Sequence, residues 1–255
     1  LHDALPISAG LLRAELAKKG YACQPMAMGT NTDPYQPIER EWRVTRQVIE
    51  VLAECDHPLF ITTKSDRVTR DLDLLAPMAA KELAAVAISV TSLVPRIAMT
   101  IEPRAPHPER RLAAVRRLAD AGVPVYVNMA PVIPAITDNE VEAIVERAAG
   151  AGARGVSFIP VRLPWEVAPL FRAWLEEHFP DRAGKVMAII RSLRGGKDND
   201  PDFHSRMRGQ GPWAELLRTR FLIARRRFGI DRNGEKMRLR TDLFHPPHGP
   251  QGELF

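Results

Sequence analysis

Gly29-Thr30-Asn31-Thr32-Asp33-Pro34-Tyr35-Gln36-Pro37-Ile38-Glu39 lies between a short apolar run and a long helical pattern, and its reading decides the fold. Cys23 to Met28 is strand-like and ends at Gly29, which can take a positive φ and turn the chain sharply. Thr30, Asn31, Thr32 and Asp33 then offer oxygen or amide groups, either for a polar ligand or for Asx-type bonds that hold the loop itself. Pro34 and Pro37 stiffen the segment, and Glu39 falls in the first turn of the next helix, where a negative charge is favoured. A polar loop at the C-terminal end of a strand is where α/β folds carry function; a well-made turn without a ligand is the competing reading.

Outward from this loop, strand-like and helical patterns alternate. A helix from Ser8 to Lys19, closed by Gly20, precedes the first strand. Strands are predicted at Cys23 to Met28, Pro58 to Thr63, Ala85 to Val90, Val123 to Ala130 and Gly155 to Val161. Helices follow them at Ile38 to Glu54, Arg67 to Ala80 (with Ser65 as N-cap), Pro108 to Ala121, Asp138 to Gly150 and Val167 to His178, and Thr100 to His107 is read as loop. Five consecutive βα units demand parallel strands with right-handed crossovers. Polar residues at every strand end favour a barrel around a central ligand, and neither a G-x-G-x-x-G turn nor a P-loop supports a dinucleotide-binding sheet. Beyond residue 178 the strands stop. A helical extension over 179–237 is expected, with helices at Asp181 to Arg194 and Trp213 to Phe228, then a Pro-rich flexible tail over 238–255.

The 255 residues, 45% hydrophobic, suffice for one large core. No apolar run is long enough to span a membrane and no signal-peptide pattern opens the chain, which makes the cytoplasm the expected location. Two cysteines, Cys23 and Cys55, are too few for a disulfide framework or a thiolate metal site, and no histidine grouping has metal spacing. The net charge of +5 is uneven: from Arg191 to Arg240, 14 basic residues stand against 6 acidic ones. That excess allows a nucleic-acid or phosphate partner, with Phe203, Trp213, Phe221 and Phe228 to stack bases; a solvated basic face with its aromatics packed inward is the alternative.

The rim residues each have two readings. Lys64 holds a carboxylate or phosphate, or is a solvated loop lysine. Ser89 and Thr91 donate to one ligand, or cap the next segment. Glu102-Pro103-Arg104 bonds ribose hydroxyls, or is a surface ion pair worth about 0–1 kcal/mol. Asn128, on an otherwise apolar strand, needs a partner for its amide. The chain is poor in catalytic side chains, so an enzyme built on it would rely on a cofactor.

The stretch 29–39, with Thr63-Lys64-Ser65, Ser89-Val90-Thr91, Glu102-Pro103-Arg104 and Ala130-Pro131-Val132-Ile133-Pro134, resembles the radical SAM proteins related to spore photoproduct lyase. The resemblance runs from Ala9 to Arg227 and includes Arg194-Gly195-Gly196-Lys197-Asp198 and Met207-Arg208-Gly209-Gln210-Gly211, which are similar to an uncharacterised bacterial branch. It implies a partial parallel (βα) barrel, TIM-like, over 9–178, binding S-adenosylmethionine and a [4Fe-4S] cluster. Reductive cleavage of the sulfonium would yield a 5′-deoxyadenosyl radical that abstracts hydrogen from a substrate, with DNA repair or nucleic-acid modification as the expected purpose. Thr30, Asn31, Thr32 and Asp33 would stand near the methionyl amino group, and Lys64 and Ser89 at the carboxylate or ribose. Glu102 and Arg104 would lie near the nucleoside, with Val132 and its neighbours along the adenine pocket.

The resemblance also carries a departure. The family's Cys-x3-Cys-x2-Cys loop follows a first strand, and this chain shows neither that loop nor that strand. The chain is therefore expected to start inside the first βα unit, with residues 1–8 foreign or disordered, and to be inactive as it stands. A shorter similarity, Gln251-Gly252-Glu253-Leu254-Phe255, resembles the peptides by which repair proteins dock on the DNA sliding clamp, with Gln251, Leu254 and Phe255 as contacts. The alternative to a radical SAM enzyme is a non-catalytic, clamp-tethered nucleic-acid-binding barrel.

Overall fold

In the computed structural model, residues 7–200, 202, 207–230 and 238–247 are described. Phe203, one of the expected base-stacking residues, and Gln251, Leu254 and Phe255 of the clamp-like peptide lie outside them.

Helix α1 (Ile7–Leu16) leads into strands β1 (Met26–Met28), β2 (Leu59–Thr63), β3 (Ala84–Ser89), β4 (Val125–Val132) and β5 (Gly155–Pro160). All neighbours are parallel and the spatial order β1-β2-β3-β4-β5 is the sequence order. A doubly wound sheet reverses its order at a switch point; sequential order is the winding of a barrel, here a partial one. Helices α2 (Val44–Glu54), α3 (Leu72–Ala80), α5 (Pro108–Asp120) and α6 (Val141–Gly150) join the strands, and α4 (Pro95–Ile101) is inserted after β3. After β5 come α7 (Val167–His178), α8 (Pro180–Ser192) and α9 (Gly211–Arg227).

The two faces of the sheet differ. Leu59, Ile61, Val86, Ile88, Val125, Val127, Met129 and Val156 join one apolar core under the helices, each large side chain contributing about 1.5–3 kcal/mol. On the opposite face the register aligns Thr62, Ala87 and Tyr126, then Ser89, Asn128 and Ser157. That face is smaller in side chain, more polar and partly open. A second apolar cluster, including Ile133, Leu163, Leu175 and Ile190, ties α7 and α8 to the ends of β4 and β5.

Four expectations are corrected. Strand β1 begins at Met26, not Cys23, because Pro25 cannot donate to a ladder. The helix expected over Ile38 to Glu54 is broken into a 3₁₀ turn (Pro37–Arg40) and α2, with Arg43 left-handed at φ 48° between them. Thr100 and Ile101, read as loop, close α4, whose Pro95 sits in a first turn where its missing N–H costs nothing. The near half of the expected flexible tail is docked: Arg240 N donates to Glu82 O and His245 N to Cys55 O, both at 3.0 Å, while the Phe244 ring packs on Tyr21 and His57. The reason is an apolar gap at that end of the sheet, which Leu243 and Phe244 fill.

Candidate functional site

The loop after β1 is fixed before it can bind anything. Gly29 has φ +86°, and a Cβ there would lie 1.9 Å from the Thr62 carbonyl oxygen, so only glycine lets the chain cross β2. Asp33 laces the crossing: Oδ1 accepts from Tyr35 N at 2.9 Å and Thr63 Oγ1 at 2.7 Å, and Oδ2 from Lys64 N at 2.7 Å. Beneath it, the buried Tyr35 hydroxyl donates to Asp71 Oδ2 at 3.0 Å, and Asp71 is clamped by Arg46 and Arg70. Burial, and then the Asp71 carboxylate, push the Tyr35 phenol well above its usual range, so it stays a donor. Glu39 is buried as well, accepting from Thr45 N at 2.8 Å and so capping α2 across the broken helix.

The β3 end is built around an arginine absent from the rim residues read in the sequence. Arg111 is 1% exposed; its Nε donates to Pro106 O at 2.8 Å and its Nη1 to Ser89 O at 3.0 Å and Glu102 Oε2 at 2.5 Å. Thr91 Oγ1 donates to the same Glu102 oxygen at 3.2 Å. The Glu102 side chain is nearly buried, yet its other oxygen, Oε1, has no hydrogen-bond partner among the described residues, Lys64 Nζ standing 3.8 Å away. Arg104 is exposed and does not pair with Glu102, which corrects the ion pair read across Pro103. The available signal for Arg111 is position: Arg111, Val115 and Leu118 occupy one stripe of α5, and an arginine on a buried stripe needs a buried partner. Glu140, likewise outside the sequence-derived set, accepts from Ser92 Oγ and Leu93 N, both at 2.6 Å, and fixes the turn beyond Thr91.

A cleft of about 700 Å³ opens between these ends. Thr32, Asp33, Lys64, Glu102 and Arg104 line it together. Ser89 lies behind it, its side chain buried and its carbonyl held by Arg111. Thr30 and Asn31 are exposed outside its lining, Asn128 is paired with Ser157 Oγ at 2.6 Å on the open sheet face, and Val132 is buried in the sheet. A second, apolar cavity of about 470 Å³ lies among Pro131, Ile133, Leu163, Phe171 and Trp174, with Arg162 at its edge. Ile101 faces this cavity and Glu102 the first, so the end of α4 separates the two.

The cleft fits a small polar cofactor: its volume is ample, and a buried unpartnered carboxylate oxygen beside an ammonium calls for a ligand carrying both a donor and an anion. An iron-sulfur cluster does not fit this chain's own residues. Only two cysteines are present, burial pushes both thiols up rather than toward thiolate, and no group of three potential metal ligands occurs among the described residues. Nor, among the described residues, is any helix long and apolar enough to cross a membrane.

A family model of the radical SAM superfamily matches residues 9–148. An uncharacterized protein of Mycobacterium bovis is 32% identical over 185 residues, covering 72% of this chain and 54% of that protein. One from Methanocaldococcus jannaschii is 30% identical over 126 residues, 49% of this chain and 47% of its own length. The chain thus spans about half the length of the curated relatives it matches. Two solved variants of spore photoproduct lyase, one with a dinucleoside spore photoproduct, have the same fold at TM-scores of 0.58 and 0.56, with 15% and 16% identity, each covering 88% of this chain and 64% of the other. With more than half of its length matched, and with strand-end loops that converge on one polar cleft, this chain belongs to the radical SAM superfamily.

Proposed function

We propose that the strand-end cleft binds S-adenosylmethionine and that the protein serves radical SAM chemistry on a nucleic-acid substrate. The observation that carries the reading is Glu102 Oε1, a nearly buried acceptor without a hydrogen-bond partner on a residue that lines the cleft, with Lys64 Nζ 3.8 Å away. A sulfonium cofactor supplies carbon-radical chemistry once an electron reaches it. This chain's residues hold and orient it. Lys64 pairs with the methionyl carboxylate, Glu102 accepts from a ribose hydroxyl, and Thr32 stands by the amino end. Pro131 and Ile133 offer apolar surface to the base in the neighbouring cavity. Arg111 and Thr91 keep Glu102 aimed, and Asp33 keeps Lys64 at the rim. Glu140 and the 29–39 network contribute rigidity, which a binding site on loops needs in order not to lose affinity to ordering. The electron has to reach the cofactor from beyond these 255 residues, which hold too few cysteines for a cluster.

A nucleic-acid substrate is supported by the basic surplus of the C-terminal third and by the bound dinucleoside in the structurally similar lyase. Equilibrium dialysis with radiolabelled S-adenosylmethionine tests the cofactor reading. Saturable binding is expected, weakened roughly tenfold in Lys64→Met, the scale of one charge-assisted hydrogen bond. Retention that never saturates, or that is identical in Lys64→Met, would contradict it.

A further inference from the structure

We propose that the outer wall of the 700 Å³ cleft is a phosphate-binding site, so that a phosphorylated ligand shares the cleft with the cofactor. Arg40, Lys64, Arg67 and Arg104 all line it. The three carboxylates that line the cleft are each already engaged by other groups, with only Glu102 Oε1 left over, 3.8 Å from Lys64 Nζ. Asp66 is bound by Arg110 at 2.6 Å, Asp33 accepts three loop hydrogen bonds, and Glu102 Oε2 belongs to Arg111. Arg40 and Arg104 form no ion pair with a described residue, and Arg67 Nη1 meets only the neutral carbonyls of Gln36 and Pro37, at 3.5 Å. A methionyl carboxylate brings one negative charge, which Lys64 takes. Three guanidinium groups then remain around a cleft with room for more than one small molecule, and planar guanidinium forks match phosphate oxygens.

The basic C-terminal helix contrasts with this wall. Arg220 is bound at both nitrogens to Glu142, Arg218 to the Gly209 carbonyl, and Arg225 and Arg227 lie over the rings of Phe221 and Phe228. These helix arginines are engaged by a carboxylate, a carbonyl or an aromatic ring, whereas Arg40, Arg67 and Arg104 stand around the cleft beside the cofactor position. The ligand chemistry is a phosphate group, as a phosphodiester of a nucleic-acid strand or as the phosphate of a free nucleotide. The cofactor reading enters only through the shared cleft.

Fluorescence anisotropy of a labelled single-stranded oligonucleotide, with ADP and inorganic phosphate as competitors, is measured for the wild type, Arg40→Gln/Arg67→Gln and the exposed control Arg226→Gln. Melting curves check that each variant is folded. The double variant is expected to bind at least tenfold more weakly, with the slope of log affinity against log salt reduced by roughly 0.7 per arginine removed, while the control keeps wild-type values. Competition by ADP at concentrations where the oligonucleotide binds assigns the site to free nucleotides, and its absence assigns it to a strand. Equal affinity of wild type and double variant, loss in Arg226→Gln instead, or no binding of any of the three probes overturns the proposal. Cofactor retention is read by dialysis without phosphate ligands, so failure of one reading leaves the other standing.

Discussion

At the scale of single residues, the site depends on Arg111 more than on any residue that meets solvent. Its Nε and Nη1 donate to two carbonyls and one carboxylate that come from three separate segments. Arg111→Met leaves the nearly buried Glu102 with only the half-exposed Lys64 ammonium, 3.8 Å away, and is expected to cost about 3 kcal/mol, read as a lowered denaturation midpoint. Arg111→Lys keeps the charge but lacks the fork, so it should recover only part of that loss. A midpoint unchanged in Arg111→Met would show that the pair does not hold the strand ends. Asp33 is legible in the sequence as a loop-holder because its Asx bond from Tyr35 N is local, although its bonds from Thr63 and Lys64 are not. Arg111 is not, because two of its acceptors are backbone oxygens that leave no mark on the sequence, and Glu102 lies nine positions away across a loop.

At the scale of elements, the strands and most helices are readable, because a sheet covered on its helix side needs long apolar runs and a helix its stripe. The breaks are not readable. The split after Arg40 and the short α4 are set by Glu39 reaching Thr45 N and by Pro95, contacts that a periodicity of side chains does not report. The docked segment 238–247 reads as tail in the sequence because its anchors, Leu243 and Phe244, are only two. Their receptor includes His57, whose Nε2 meets the Tyr21 hydroxyl at 2.8 Å and whose Nδ1 meets Pro58 O at 3.1 Å. Burial pushes the His57 pKa below its ordinary value, so the unfolded chain takes up a proton before the folded one does. Stability is therefore complete above about pH 6.5 and falls as pH drops through that value toward the lower folded pKa. Melting temperature followed from about pH 7.5 to about pH 5 should decline in the wild type and less in His57→Gln. Parallel profiles for the two would exclude His57 as the cause.

At the scale of the whole molecule, five sequential parallel strands bring distant loops to one rim, which is why residues from Thr32 to Arg104 share a cleft. The rim is visible in the sequence as polar punctuation after apolar runs. Which of those residues meet is not visible, since Asn128 and Val132 lie on the same strand as cavity-lining Pro131 yet point elsewhere. With two cysteines whose thiols are both held up by burial, anaerobic reconstitution of this 255-residue chain with iron and sulfide is expected to give no stoichiometric cluster absorbance. A stable cluster at one per chain would refute that. On the proposed reading, Glu102 and Lys64 face a bound nucleoside cofactor. A crystal structure of the chain grown with S-adenosylhomocysteine tests it most directly. A ribose hydroxyl within hydrogen-bond distance of Glu102 Oε1, with the ligand carboxylate at Lys64, is the expected result; the ligand bound elsewhere, with Glu102 Oε1 still unpartnered, would contradict it.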